Sequence, residues 1–144
     1  KYNGKNNYNE KLVNFIKDNP QIKFIPICPE QLGGLETPRL PAEIEVGDGR
    51  DVLVGESILL NSDGQNVTYN FIRGAEESLK IADLFSAQYA ILKERSPSCG
   101  KNFIVKKKEK VKGCGVTTAL FFGKSIKVFS EEELDEFKKE YFNS

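Results

Sequence analysis

The stretch YAILKERSPSCG, residues 89–100, indicates the fold most clearly. Residues 89–92 are apolar and predict a buried strand, and the turn after it contains two serines, a proline, a cysteine and a glycine. In open sheets of parallel strands, ligands bind just beyond the carboxyl ends of the strands. A reactive side chain at this position therefore makes Cys99 a candidate site residue.

Helices and strands alternate along the chain, a pattern that predicts right-handed crossovers and a mostly parallel sheet covered on both faces. We expect an α/β protein with a Rossmann-like three-layer fold, forming one domain over residues 1–144. The predicted helices cover residues 12–16, 67–85 and 116–122 and a last helix after the capping box of Ser130 and Glu133; the predicted strands cover residues 23–28, 89–93 and 125–129, and a hairpin or extended excursion covers 52–60.

Two further segments carry functional hypotheses. Residues 29–49 are rich in proline and glycine and predict a long shaped loop, a kind of segment that is usually functional in a small domain. Residues 106–112 are the one basic run, KKKEKVK, and predict a solvated hairpin. A phosphate-binding role for this run is the alternative.

Composition excludes several classes of function. Lysine plus arginine and aspartate plus glutamate both number 21, so the chain lacks the overall positive field of a polyanion-binding protein. Histidine is absent, which excludes Ser-His, Cys-His and His-rich metal sites. The sequence shows no apolar run of membrane-spanning length and no leader pattern, so we expect a cytoplasmic protein with no membrane partner.

The three cysteines favour metal binding, reactivity or packing over a disulfide framework. Cys28 ends one predicted strand and Cys99 follows another, so the predicted topology brings both to one edge of the sheet. Cys114 begins an apolar helix and is predicted to be a packing residue. Two thiols without histidine leave three chemistries open: a zinc site completed by other ligands, a redox pair without the usual Cys-x-x-Cys spacing, or an iron–sulfur cluster with one open iron.

Four motifs in the sequence give evidence of function beyond the spacing of the cysteines. They are PICPEQLGGLETPRLPAEI at residues 26–44, FIRGAE at 71–76, ILKERSPSCG at 91–100 and GCGVTTA at 113–119. Their combination and order resemble the thiouracil desulfidase family. The resemblance implies an α/β fold with a 4Fe-4S cluster on three cysteines, whose fourth iron binds the sulfur of a thiolated pyrimidine. Hydrolysis would then return the oxo base and sulfide without net redox chemistry.

The resemblance also implies the cluster ligands. Cys28 and Cys99 match two of them, whereas Cys114 matches none. The third belongs to a first strand that precedes a motif like the KYNG of residues 1–4, so we expect that strand and its cysteine to lie upstream of Lys1, and natural N-terminal residues to be missing from this sequence. Glu36 and Leu40 depart from the family, which often has proline at both positions.

Five further residues are candidates for the chemistry. Glu30 and Glu43 are the predicted proton carriers, since no histidine is present. Ser96 is predicted to be catalytic and Ser98 to bind substrate, or both serines to support the ligand turn. Arg39 is predicted to orient a pyrimidine carbonyl.

Two alternatives to a free thiolated nucleobase stay open. One is the same chemistry on a thiolated base in tRNA, with the lysine run contacting phosphate. The other is a non-catalytic binding module in which Cys28 and Cys99 hold zinc. Metal analysis and sulfide release would separate them.

Overall fold

The computed structural model describes residues 9–143. The predicted first strand and the KYNG motif lie outside the described residues. Helices α1–α6 span, in chain order, Glu10–Asp18, Pro29–Leu32, Gly49–Leu53, Thr68–Leu84, Val116–Phe122 and Leu134–Phe142, and strands β1–β6 span Ala42–Ile44, Leu59–Asn61, Tyr89–Leu92, Phe103–Lys106, Glu109–Lys112 and Lys127–Ser130.

The described strands form three two-stranded sheets, of which only β3–β6 is parallel, with Tyr89 beside Lys127 and Leu92 beside Ser130. β1 pairs with β2 and β4 pairs with β5, both antiparallel. The protein is thus a mixed α/β fold as predicted, but the mostly parallel sheet is reduced in the described residues to one parallel pair. Short connections such as the one from β4 to β5 permit only antiparallel pairing, whereas β3 reaches β6 through a crossover containing α5. The Rossmann-like three-layer arrangement stays a prediction.

Two predicted extended segments differ in the structure. Residues 23–28 run without a β-ladder to any other described strand, and Pro26 cannot donate to one. Val52 lies in α3, because Asp48 and Asp51 form a capping box that starts a helix there. A turn at residues 61–64 is closed by a hydrogen bond from the Gly64 N–H to the Asn61 carbonyl, 2.9 Å.

The predicted helices are confirmed within a few residues at each end. α4 buries Phe71 and Ala75, and α5 ends at Gly123. The capping box of Ser130 and Glu133 starts a short 3-10 helix, Glu131–Glu133, that leads into α6. The predicted hairpin in the lysine run is also confirmed as β4–β5.

Three apolar clusters form the core. The first lies between α4, α3 and the antiparallel strands, the second packs α5 against the parallel pair, and the third joins α1 and α6 around Phe15 and Phe137. Within residues 9–143, no helix has both the length and the apolar character that a membrane crossing requires.

Candidate thiol site

Cys28 is held in place by the packing of two helices. It is the N-cap of α2 with an extended backbone, φ −132° and ψ 98°, and Pro29 at the first helical position favours the turn into the helix. α2 lies so close to α4 that a Cβ atom on Gly33 would overlap the Asn70 carbonyl and one on Gly74 would overlap the Pro29 carbonyl. The glycines of the two motifs therefore set the position of Cys28 against α4.

Arg39 connects the proline-rich loop to Cys28. Its Nε donates to Glu30 Oε1 at 2.9 Å and its Nη2 donates to Cys28 Sγ at 3.4 Å. Nη1 donates to the Glu36 carbonyl at 2.9 Å, and only 6% of the Arg39 side chain is exposed. The structure thus places the guanidinium on the sulfur and the neighbouring carboxylate, where it orients both groups.

Cys99 lies in a turn held by serine hydroxyls. Ser96 Oγ accepts hydrogen bonds from the backbone N–H groups of Ser98, at 3.1 Å, and Cys99, at 3.0 Å. Ser98 Oγ lies 2.9 Å from Thr117 Oγ1 and 3.7 Å from Cys99 Sγ. The two predicted serines therefore surround the backbone and sulfur of Cys99.

Residues of the GCGVTTA motif, 113–119, form hydrogen bonds to the turn that carries Cys99. At the start of α5, the N–H groups of Val116 and Thr117 donate to the carbonyls of Pro97, at 2.9 Å, and Ser98, at 2.8 Å. Thr118 Oγ1 donates to the Cys99 carbonyl at 2.8 Å. These bonds satisfy N–H groups that a helix start leaves unpaired, and they fix the turn to α5.

The charges of Glu30 and Cys28 act on the Cys99 thiol. The pKa of this thiol is raised to about 12, chiefly by burial and in part by these two negative charges, while bonds from Ser98 and Ser96 oppose the shift. This effect agrees with the predicted meeting of Cys28 and Cys99 at one edge, which stays a prediction, and residues 23–28 are not a strand.

Cys114 and Glu43 are directed elsewhere. Cys114 Sγ lies 3.7 Å from Asp48 Oδ2, and burial followed by the Asp48 charge raises the pKa of its thiol to about 11. Both carboxylate oxygens of Glu43 accept the Lys107 N–H, at 3.0 and 3.1 Å, at the turn of the β4–β5 hairpin. The structure thus brings Glu30, Arg39, Ser96 and Ser98 to the cysteines and gives Glu43 different partners.

The two thiols are the kind of donor that binds an iron–sulfur cluster. They are fewer than the three cysteines that the family resemblance implies. Cys28 and Cys99 are free thiols that can each offer a soft sulfur ligand, which suits such a cluster. Within residues 9–143, no three histidine, cysteine, aspartate or glutamate side chains are grouped as a metal ion requires. The described residues can therefore supply two thiolates to a cluster.

Sequence reasoning missed Glu94 and the two threonines of α5. Glu94 is only 3% exposed, and its carboxylate accepts backbone N–H bonds from residues 101–103. Its position directly after a buried strand could have suggested this role, because a carboxylate buried there needs several donors. Nothing in the sequence alone indicates that Thr117 and Thr118 contact the Cys99 turn.

Comparison with known proteins gives consistent matches. The profile of the 2-thiouracil desulfurase family matches residues 1–133. YbbK, an uncharacterized protein of Bacillus subtilis (strain 168), is 40% identical over 139 residues, covering 94% of this chain and 90% of the relative. The solved structure of TudS, a 4Fe-4S-dependent thiouracil desulfidase, is similar with a TM-score of 0.80 and 31% identity, over 96% of this chain and 85% of that one. This chain therefore belongs to the 2-thiouracil desulfurase family.

Proposed function

We propose that this protein removes sulfur from a thiolated pyrimidine base, of the 2-thiouracil or 4-thiouracil type, by a hydrolysis that depends on a 4Fe-4S cluster. The observation that carries the proposal is that Arg39 holds Cys28 and Glu30 together, in a chain that belongs to this family and whose Cys99 is affected by the charges of both. The similarity to TudS supports the cluster and the substrate class.

Cys28 and Cys99 are the proposed cluster ligands, with a third cysteine in a segment preceding Lys1. When bound, the cluster would supply an open iron that acts as a Lewis acid on the thiocarbonyl sulfur. Cys99 must lose its proton to become a ligand, and its raised pKa opposes that loss. The hydroxyls of Ser96 and Ser98 favour the thiolate form and offset part of this cost.

Glu30 is the proposed proton carrier. The thiocarbonyl carbon exchanges its sulfur for the oxygen of water, the protons of that water leave with sulfide, and no electrons are transferred. Glu30 can move a proton between the water and the departing sulfur because its side chain is 21% exposed and is bound by the same guanidinium as Cys28. The proposed role of Arg39 is to hold Glu30 in this orientation, in place of direct binding of a substrate carbonyl.

The two serines have proposed roles beside Cys99. Ser98, whose hydroxyl is 3.7 Å from the Cys99 sulfur, is proposed to bind the substrate, and Ser96 is proposed to position water or to support the turn. The contacts of Glu43 favour a structural role for it at the hairpin. We also propose a cytoplasmic location, a three-layer fold and a free base as the substrate. Lys106 binds the Gly47 carbonyl and Lys110 lies over the Phe103 ring, and these contacts within the protein do not favour binding of tRNA by the lysine run.

Anaerobic reconstitution of the full-length protein with iron and sulfide tests the proposal. The holo-protein should show the broad brown absorption of an iron–sulfur cluster and should release sulfide from 2-thiouracil or 4-thiouracil. The variants Cys28→Ser and Cys99→Ser should lose both properties, because each removes a ligand. Glu30→Gln should keep the absorption and lose sulfide release.

Cys114→Ser is the matched control, since Cys114 contacts Asp48 and not the site. It should keep the cluster and the activity. A colourless protein that binds zinc through Cys28 and Cys99 would refute the desulfidase proposal and favour a binding module.

A further inference from the structure

Acidic side chains from two separate segments bind the turn that carries Cys99. We call residues 94–103 the Cys99 turn. At its start, Glu94 Oε1 accepts the backbone N–H groups of Lys101 at 2.8 Å, Asn102 at 2.9 Å and Phe103 at 3.1 Å. The Glu94 carboxylate therefore closes the turn by binding its far end.

The second set comes from the 3-10 helix after β6. Glu133 Oε1 accepts the Lys101 ammonium at 2.7 Å and the Ser130 N–H at 3.0 Å. Glu131 Oε2 accepts the Glu94 N–H at 2.6 Å. Both ends of the Cys99 turn are thus bound to a segment more than thirty positions further along the chain.

Asn102 joins the two carboxylates. Its Nδ2 donates to Glu94 Oε2 at 3.0 Å and to Glu133 Oε2 at 3.2 Å. The other oxygen of each carboxylate binds Lys101, through its N–H for Glu94 and its ammonium for Glu133, so the Asn102 amide is a second link between the two carboxylates. We call the side chains of Glu94, Asn102 and Glu133 the carboxylate–amide clamp.

The clamp acts on Cys99 through a short path. Lys101 is two residues from Cys99, and the Gly100 N–H donates to the Ser96 carbonyl at 2.8 Å within the same turn. The Gly100 carbonyl accepts the Gly115 N–H at 2.8 Å, which fixes the turn on the start of α5. A shift of residues 101–103 would therefore strain the bonds that hold Gly100 and Cys99 on α5 and allow the turn to open.

We propose that Glu94, Asn102 and Glu133 are positioning residues that hold the Cys99 sulfur beside Cys28 for the sulfur-removal reaction. The role in the reaction rests on the proposed function, whereas the control of the Cys99 position does not. None of the three side chains needs to contact the substrate. Their effect is to keep the Cys99 turn in one conformation. In this conformation residue Cys99 is only 8% exposed.

The first test measures the alkylation rate of each cysteine in metal-free protein by site-resolved mass spectrometry. In Glu94→Gln the new NH₂ faces the Asn102 NH₂, so the turn should open more often and Cys99 should react about 10- to 100-fold faster. In the double variant Glu94→Gln/Glu133→Gln, Asn102 can rotate its amide and accept from both glutamines. The double variant should therefore react more slowly at Cys99 than Glu94→Gln, although it also loses the Glu133–Lys101 ion pair, whereas a simple loss of stability would make it react faster.

Glu132→Gln is the control, because Glu132 pairs with Arg95 at the surface, where the two side chains are 50% and 42% exposed. Its Cys99 rate should equal that of the wild type. Cys114 reports on general opening, since its residue is only 1% exposed. A Glu94→Gln variant in which Cys99 and Cys114 accelerate equally, or in which Cys99 does not accelerate, would overturn the clamp.

The second test uses reconstituted full-length protein and compares the electron paramagnetic resonance spectrum of the reduced cluster. Glu94→Gln should alter the spectrum, the double variant should restore it, and Glu132→Gln should leave it unchanged. If the wild type forms no cluster but the alkylation rates follow the expected pattern, the desulfidase proposal fails and the control of Cys99 by the clamp stands. If the cluster forms and its spectrum is unchanged in Glu94→Gln, the positioning role fails and the desulfidase proposal stands.

Discussion

The two cysteines of the site differ in what surrounds each sulfur. Cys28 is partly exposed at the start of α2, and its sulfur accepts a hydrogen bond from the Arg39 guanidinium. Cys99 is buried, and its thiol is affected by the hydroxyls of Ser96 and Ser98 and, without a hydrogen bond, by the charges of Glu30 and Cys28. A cluster between them would therefore have one ligand on a charged side of the site and one on a side of neutral hydroxyls.

This difference predicts distinct reactivity in metal-free protein. Burial raises the pKa of Cys99 to about 12, so its reactive thiolate is a small fraction at neutral pH and grows about tenfold for each pH unit below that value. Alkylation by iodoacetamide, followed by peptide mapping between pH 7 and 11, should show Cys28 reacting first. The Cys99 rate should still be rising at pH 11; a plateau near pH 9 would contradict the burial argument.

Among the elements, α2 and α4 are so close that neither Gly33 nor Gly74 has room for a side chain. Gly33 and Gly74 allow the backbones of the two helices to approach, and Asn70 Nδ2 donates to the Gly33 carbonyl at 2.8 Å. Because Cys28 is the N-cap of α2, this contact also decides where its sulfur lies.

Gly74→Ala should therefore destabilise the protein. A glycine-to-alanine change inside a helix usually stabilises by up to about 1 kcal/mol. Here the new Cβ would overlap the Pro29 carbonyl, so we expect a loss of about 1–3 kcal/mol in the free energy of unfolding, as for other overpacked sites. Urea denaturation measures the change.

Gly123→Ala is the control for this prediction. A Cβ atom on Gly123 would have its nearest neighbour, the Leu120 carbonyl oxygen, at an ordinary 3.6 Å. We expect a change within about 0.5 kcal/mol, typical of a surface position. Equal effects of the two substitutions would show that the α2–α4 contact is not the cause.

For the whole molecule, the clamp couples the C-terminal segment to the site and makes stability depend on pH. Burial alone would raise the pKa of Glu94, but hydrogen bonds from Asn102, Phe103 and Lys101 outweigh it and hold the pKa below the ordinary 4.5. The pKa of Glu133 is also lowered, because bonds from Lys101, Ser130 and Asn102 outweigh its burial. A carboxylate with a lowered pKa in the folded state contributes stability above its ordinary pKa and loses it as the pH falls through the folded value.

Glu94→Gln should therefore be less stable than the wild type at pH 7, by about 1–3 kcal/mol for the loss of bonds to a charged group. The difference should narrow as the pH falls below 4.5 and through the folded pKa of Glu94. Denaturation curves of both proteins between pH 3 and 7 measure this. A difference that stays constant over the range would show that the charge of Glu94 has no role.

Sequence reasoning predicted the local elements well and their assembly less well. Helix periodicity identified α4 and α5, and the Ser130–Glu133 capping box identified the start of the C-terminal helical segment. These signals are local, since they depend on residues within a few positions of each other. Residues 23–28 were predicted as a strand from apolar character alone, which cannot show whether a partner strand lies alongside.

Motifs and apolar periodicity, which are patterns of the residues themselves, identified the α/β class, the family resemblance and the candidates Cys28 and Cys99. The folded arrangement was needed to show that Arg39 binds Cys28 and Glu30, that Glu43 binds the hairpin, and that Glu94 and Glu133 meet at Asn102. The physical reason is that a charged side chain binds whichever donor the fold brings within about 3 Å of it, and residues far apart in the chain supply those donors.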